Sequence, residues 1–170
     1  MLVQKTKKLK VLASRPERAL EVKPGTRLPA LEGVGGDGGK QNLSYGQDSR
    51  KTVLLVFSPR CRVCKENMPN WDTIISELDQ QSFRVAAISL QSEGAKEYAS
   101  QFGIDRVPIF TDVNPKSKVA YNLALTPQVI LIDSAGKAEK VWTGLLNSEN
   151  KQEMEQALKL RFPFSFSAML

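Results

Sequence analysis

With 170 residues, of which 41% are hydrophobic and 25% charged, the chain can bury a single core without covalent staples. Its net charge of +6 sits at one end: residues 1–30 carry eight Lys/Arg against Glu17 and Glu21, while residues 31–170 carry sixteen of each sign. A neutral body argues against a nucleic-acid face, and the complete lack of histidine excludes Ser-His-Asp and Cys-His hydrolases and any His-ligated metal.

The leader begins Leu2-Val3-Gln4 and continues Lys5-Thr6-Lys7-Lys8-Leu9-Lys10. It reads either as a stub beyond a removed anchor or signal segment, or as a basic tail from a native start. A basic segment directly after a membrane helix favours the cytoplasmic side, which weighs against an anchored extracytoplasmic domain. No run of 18 apolar residues spans a membrane. The organisation expected is a tail over residues 1–24 ending at Pro24-Gly25, a folded domain over 25–162, and a C-terminal tail over 163–170. Residues 27–34 and 41–45 read as short strands around the turn Gly35-Gly36-Asp37-Gly38-Gly39, which matches no phosphate-binding fingerprint.

The body then alternates. Residues 52–57 form a near-continuous apolar run, the mark of a strand covered on both faces. Cys61-Arg62-Val63-Cys64 follows and opens a helical pattern to about residue 80, with Met68, Trp71, Ile75 and Leu78 on one stripe and Pro69 inside it. A second buried strand is expected over 83–90, a helix over 93–102 closed by Gly103, a short extended piece over 107–110 and a short helix over 116–123. A third apolar strand over 128–133 turns at Ser134-Ala135-Gly136-Lys137 into a strand over 138–145. Ser148 opens a last helix to about Leu160, with Glu149 in its first turn and Lys159 and Arg161 at its end. This order predicts an α/β fold with a mixed sheet and helices on both faces. Pro127, directly before a buried strand, can sit only at its first position or in a special turn.

Cys61 and Cys64 are the only cysteines. A strand that delivers two thiols, two residues apart, to a helix N-terminus suits disulfide exchange: the terminus stabilises a thiolate, and the second sulfur reaches whatever the first captures. Arg60, Arg62 and Lys65 favour the same thiolate, so Cys61 is expected to ionise below the free-thiol value of about 8.5. Zinc would need this one pair plus carboxylates, whereas structural sites take four N/S ligands, so no metal or other cofactor is expected. Phe57, Ser58 and Pro59 are expected at the rim. Trp71, Met68, Tyr98, Tyr121 and Trp142 are expected as packing, and the segment Phe162-Pro163-Phe164-Ser165-Phe166 as an apolar cover over an edge.

Taken together, Cys61-Arg62-Val63-Cys64, Pro69 five residues after the second cysteine and Thr126-Pro127 before a buried strand resemble the thioredoxin superfamily. Residues 126–137, Cys64-Lys65-Glu66-Asn67-Met68-Pro69-Asn70-Trp71 and the leading hairpin are similar to extracytoplasmic TlpA/ResA-type thiol:disulfide oxidoreductases, over roughly residues 25–160. The resemblance implies a thioredoxin-like fold with an extra N-terminal hairpin, and a cis Pro127 lying against the redox pair. It implies Cys61 as nucleophile, Cys64 as resolving cysteine, and Thr126, Pro127, Arg62 and Val63 as the substrate-binding surface. It also implies protein disulfide or dithiol substrates, a membrane thiol reductant, a monomer, and an anchored extracytoplasmic location.

Two positions depart from the family. Leu55 stands six residues before Cys61, where thioredoxins bury an acid, and Asn67 stands three after Cys64, where TlpA/ResA-type proteins often carry Glu. Glu66 is about 100° away around the helix. The proton-handling acid is therefore missing or relocated, and the direction of reaction is open. One alternative is a peroxiredoxin-like thiol peroxidase, with Ser58 for that family's threonine but Leu54 where it places a proline. The other is a non-catalytic binding module that keeps the fold.

Overall fold

In the computed structural model, which describes residues 22–163, the apolar runs become a five-stranded mixed sheet and the amphipathic stretches its helices. Strands β1 (Leu31–Val34) and β2 (Lys40–Leu43) pair antiparallel as a separate hairpin. Its turn takes a left-handed Gly38 (φ +82°) and an Asp37 carboxylate that accepts the Gly39 N–H at 2.9 Å.

Strand β3 (Lys51–Phe57) is the centre of the sheet and leads into α1 (Arg62–Glu77), which returns to β4 (Phe83–Ser89), parallel to β3. Helix α2 (Ala95–Gln101) and a single 3-10 turn at Ile104–Arg106 connect to β5 (Ile109–Phe110), parallel to β4. Helix α3 (Pro115–Ala120) precedes β6 (Gln128–Ile132), antiparallel to β3, then β7 (Ala138–Thr143) and α4 (Ser148–Leu158). The order across the sheet is β5-β4-β3-β6-β7, the mixed sheet that the sequence predicts.

Period-2 alternation along β3 divides the core between two faces. Val53, Leu55 and Phe57 pack with Cys64, Met68, Trp71 and Ile74 of α1 and with Met154 and Leu158 of α4. Leu54 and Val56 pack on the other side with Val22, Leu28, Leu31, Val113 and Tyr121. Each fully buried aliphatic or aromatic side chain here contributes roughly 1.5–3 kcal/mol. The second face is crossed by the N-terminal segment. Gly25 N–H donates to Ala138 O (2.7 Å), Arg27 bridges Lys137, and Val34 bridges Thr111 beyond β5 at the opposite edge. Val22, three residues before the expected boundary at 25, is already buried in this cluster.

Several boundaries move, each for a local reason. Helix α1 stops at Glu77 rather than near residue 80, because Asp79 makes an Asx turn that accepts from Gln81 N–H (3.0 Å) and the Ser82 hydroxyl (2.6 Å). Its innermost stripe runs through Ile74; Ile75 is only half-buried beside it. Helix α2 starts at Ala95, after a left-handed Gly94 (φ +74°). The 3-10 turn after Gly103 is too short to leave a periodic signal. Helix α4 ends at Leu158 with Lys159 as a left-handed cap, so Lys159 and Arg161 lie beyond its last turn. Phe162 is buried against the α1–α4 face, while Phe164 and Phe166 of the expected apolar cover, and residues 1–21 of the leader, lie outside the described residues. Among the described residues, no helix is long and apolar enough to cross a membrane.

Candidate functional site

The loop that leaves β3 is fixed before it reaches the cysteines. Ser58 is buried; its carbonyl accepts the Cys61 N–H (3.0 Å), and its hydroxyl accepts the Arg60 N–H (3.1 Å) while donating to Gln91 Oε1. Gln91 is held in turn by its own carbonyl, which accepts the Ser89 hydroxyl at 2.6 Å. This tight turn sets Cys61 as the N-cap of α1 with extended dihedrals (φ −90°, ψ 110°), and its sulfur accepts the Cys64 N–H at 3.1 Å. A helix start needs such an acceptor, because its first N–H groups have no partner within the helix.

Cys61 and Cys64 are joined as a disulfide, with Cα atoms 5.3 Å apart. The two sulfurs differ in access: Cys61 is half-buried, while Cys64 has no exposed surface. Arg60, Arg62 and Lys65 are exposed around them, with no acidic residue in the first turn of α1. Arg60 meets Glu93 at 3.4 Å, and both side chains are largely exposed. Such a pair adds little stability in water.

Thr126 is half-buried and Pro127 buried, joined by a cis peptide bond immediately before β6. Gln128, the residue after Pro127, faces Val56 in the β3–β6 ladder, one residue before the end of β3. Pro127 thus lies at the sheet end from which the cysteines emerge. Gly144, just past β7 at the same end, donates its N–H to Pro127 O at 2.9 Å. Val63, between the cysteines, is 40% exposed and Leu145 is 47% exposed, two of only three large hydrophobic side chains so exposed among the described residues.

Phe57 is not a rim residue. It is fully buried, stacked on Tyr98 (centroids 5.5 Å apart) and edge-on to Trp71 (6.5 Å). Its place in β3 puts it on the α1 face, where burial outweighs a position near the site. Leu55 is wholly buried in the same cluster as Cys64, and Glu66 is exposed. Asn67 is buried: its Nδ2 donates to Gly144 O and its Oδ1 accepts the Leu146 N–H, each at 3.0 Å. No Asp, Glu, Lys or Arg is buried anywhere among the described residues. The Ser58 hydroxyl is engaged by the Gln91 side chain and the Arg60 N–H. Sequence reasoning missed Gln91, Gly144 and Leu146. All three lie far along the chain from the cysteines and carry no motif.

A redoxin family model matches residues 23–158. Among curated proteins, the thiol-disulfide oxidoreductase ResA of Geobacillus thermodenitrificans is 28% identical over 109 residues, covering 62% of this chain and 62% of that protein. The chain therefore spans under two thirds of the length of that relative. The crystal structure of a peroxiredoxin-like protein from Aquifex aeolicus superposes with a TM-score of 0.64 at 20% identity, covering 82% of this chain and 87% of that one. A thio-disulfide isomerase from Thermus thermophilus superposes with a TM-score of 0.58 at 20% identity, over 82% and 99% of the respective chains. These likenesses show the thioredoxin-like fold.

Proposed function

The chain belongs to the redoxin family, and on that premise we propose that it is a thiol:disulfide oxidoreductase working through Cys61 and Cys64. The observation that carries the reading is the unequal access of the two sulfurs at a helix N-terminus. In the reduced protein, only Cys61 meets a substrate, and the α1 N-terminus with Arg60, Arg62 and Lys65 favours its thiolate. That thiolate attacks one sulfur of a substrate disulfide. The substrate S–S bond breaks, one substrate thiolate leaves, and a mixed disulfide with Cys61 forms. Cys64, deprotonated, then attacks the Cys61 sulfur and expels the second substrate thiolate. Two electrons have passed to the substrate, and Cys61–Cys64 is oxidised. A dithiol donor reverses these steps to renew the pair.

The substrates proposed are protein disulfides or dithiols. Val63 and Leu145 offer apolar contact, Arg62 offers charge, and Thr126, before the cis Pro127, offers backbone groups to an extended segment. The similarity of residues 25–160 to TlpA/ResA-type proteins supports an extracytoplasmic, membrane-anchored setting and a membrane thiol reductant, with the domain a monomer. The bounds proposed for it are residues 25–162, with Val22 at the end of a basic tail (1–24) packed into its core, and a C-terminal tail (163–170).

The test is reduction of insulin disulfides with dithiothreitol as electron source. The wild type is expected to accelerate it and Cys61→Ser to abolish the acceleration. Cys64→Ser, reduced, freed of dithiothreitol and then mixed with insulin, is expected to accumulate a mixed disulfide through Cys61, identifiable by mass spectrometry. A Cys61→Ser protein as active as wild type would overturn the reading.

A further inference from the structure

Asn67 stands one turn beyond Cys64 on the buried side of α1, and its carboxamide is engaged at both ends by one distant loop. Nδ2 donates to Gly144 O and Oδ1 accepts the Leu146 N–H, both at 3.0 Å, with Asn70 Nδ2 adding a longer bond to Oδ1 at 3.3 Å. Gly144 passes the restraint on, since its N–H donates to Pro127 O at 2.9 Å. It does so from a left-handed conformation (φ +86°) with nothing within 4 Å of where a Cβ would be, so backbone angle rather than space requires glycine there.

We infer that Asn67 is a positioning residue: it holds residues 144–146, and through Gly144 the Pro127 carbonyl, in register with the helix that carries the redox pair. Only a group with both a donor and an acceptor serves here. A carboxylate would set a lone pair against the Gly144 carbonyl, and an apolar side chain would leave the part-buried Gly144 C=O and the buried Leu146 N–H unpaired. The consequence concerns protein substrates, which must be laid across both α1 and the Pro127 segment, and not the intrinsic reactivity of the Cys61 sulfur.

The inference rests on the oxidoreductase reading, and its test separates the two. Reduced wild type, Asn67→Ala and Asn67→Asp are compared in three measurements: alkylation of Cys61 by iodoacetamide, insulin reduction across pH, and amide hydrogen exchange. Asn67→Ala is expected to alkylate at the wild-type rate yet reduce insulin about tenfold or more slowly, since ångström-scale misplacement costs up to about 100-fold. Exchange protection is expected to fall at both Gly144 and Leu146 while β3 and β6 keep theirs. Asn67→Asp keeps the acceptor and regains a donor only when protonated, so its insulin rate relative to wild type should rise as pH falls, while that of Asn67→Ala stays flat. The inference is overturned if Asn67→Ala reduces insulin at the wild-type rate, if alkylation and reduction fall by the same factor, or if Gly144 keeps its protection. A wild type inert toward insulin would sink the oxidoreductase reading instead, and the exchange data would still decide on the restraint.

Discussion

Ser58 carries more of the site than its size suggests. One residue supplies the acceptor for the Cys61 N–H, the acceptor for the Arg60 N–H and the donor to Gln91. Ser58→Ala removes the two hydroxyl bonds and keeps the carbonyl bond. The expected loss is about 1 kcal/mol by urea unfolding, because a part-buried turn is left with an unpaired N–H. A variant that unfolds at the wild-type urea concentration would show that the turn holds without it. At this scale the sequence was legible where chemistry is local: two cysteines, the prolines at 69 and 127, and a serine three before Cys61. It was silent where a residue's partner lies 33 residues away, as with Ser58 and Gln91, or 77 and 79 away, as with Asn67 and its loop. At Asn67 and Leu55 the sequence shows that an expected acid is absent. What Asn67 does instead depends on a loop whose approach no spacing encodes.

Among the elements, α1 has the largest stake in packing. Trp71 is fully buried between β3 and the rest of its face, edge-on to Phe57, and its Nε1 has no hydrogen-bond partner among the described residues. Trp71→Ala is expected to destabilise by about 3–5 kcal/mol, the usual cost of emptying an aromatic site. Trp71→Phe forfeits volume but no hydrogen bond, and should cost clearly less in the same urea titration; equal costs would mean that the indole N–H matters. In α4, Asn147 accepts the Asn150 N–H at 2.8 Å as N-cap, so Asn147→Ala should lower stability by about 1 kcal/mol. The elements were legible because short continuous apolar runs and period-3.6 patterns alternate along residues 52–160. Their ends were not, because Asp79, Gly94 and Lys159 stop or start helices through turns that compete with the helix for the same backbone groups. The sequence stripe falls on Ile75 where the structure buries Ile74, since adjacent helical positions differ by only about 100° and both touch the core.

For the molecule as a whole, acid and base act through different groups. The Lys140 ammonium and the Trp142 N–H hold the Glu153 carboxyl below its usual range, and Asp79 is held low by the Ser82 hydroxyl and the Gln81 N–H. A carboxylate with a lowered folded pKa stabilises the fold above the unfolded value of about 4, and loses that contribution as pH falls through the folded one. Burial raises Tyr45 and Tyr121, whose hydroxyls lie 2.7 Å apart. These phenols favour the fold while protonated, a contribution present below about pH 10 and lost as pH climbs past it. Thermal melts should therefore hold a plateau between the two limits and fall on either side. Tyr45→Phe should flatten the alkaline limb; an unchanged limb would assign it to other groups. A βαβα order followed by a hairpin foretold a mixed sheet, but not its strand order or the path of residues 22–34 across it, since both depend on pairings between distant segments.

That path has a mechanical consequence. The first described residues fasten beside β7, cross the sheet and fasten again beside β5, all on the face away from Cys64. A pull at the N-terminus would load this strap one fastening at a time, beginning with Gly25 on Ala138.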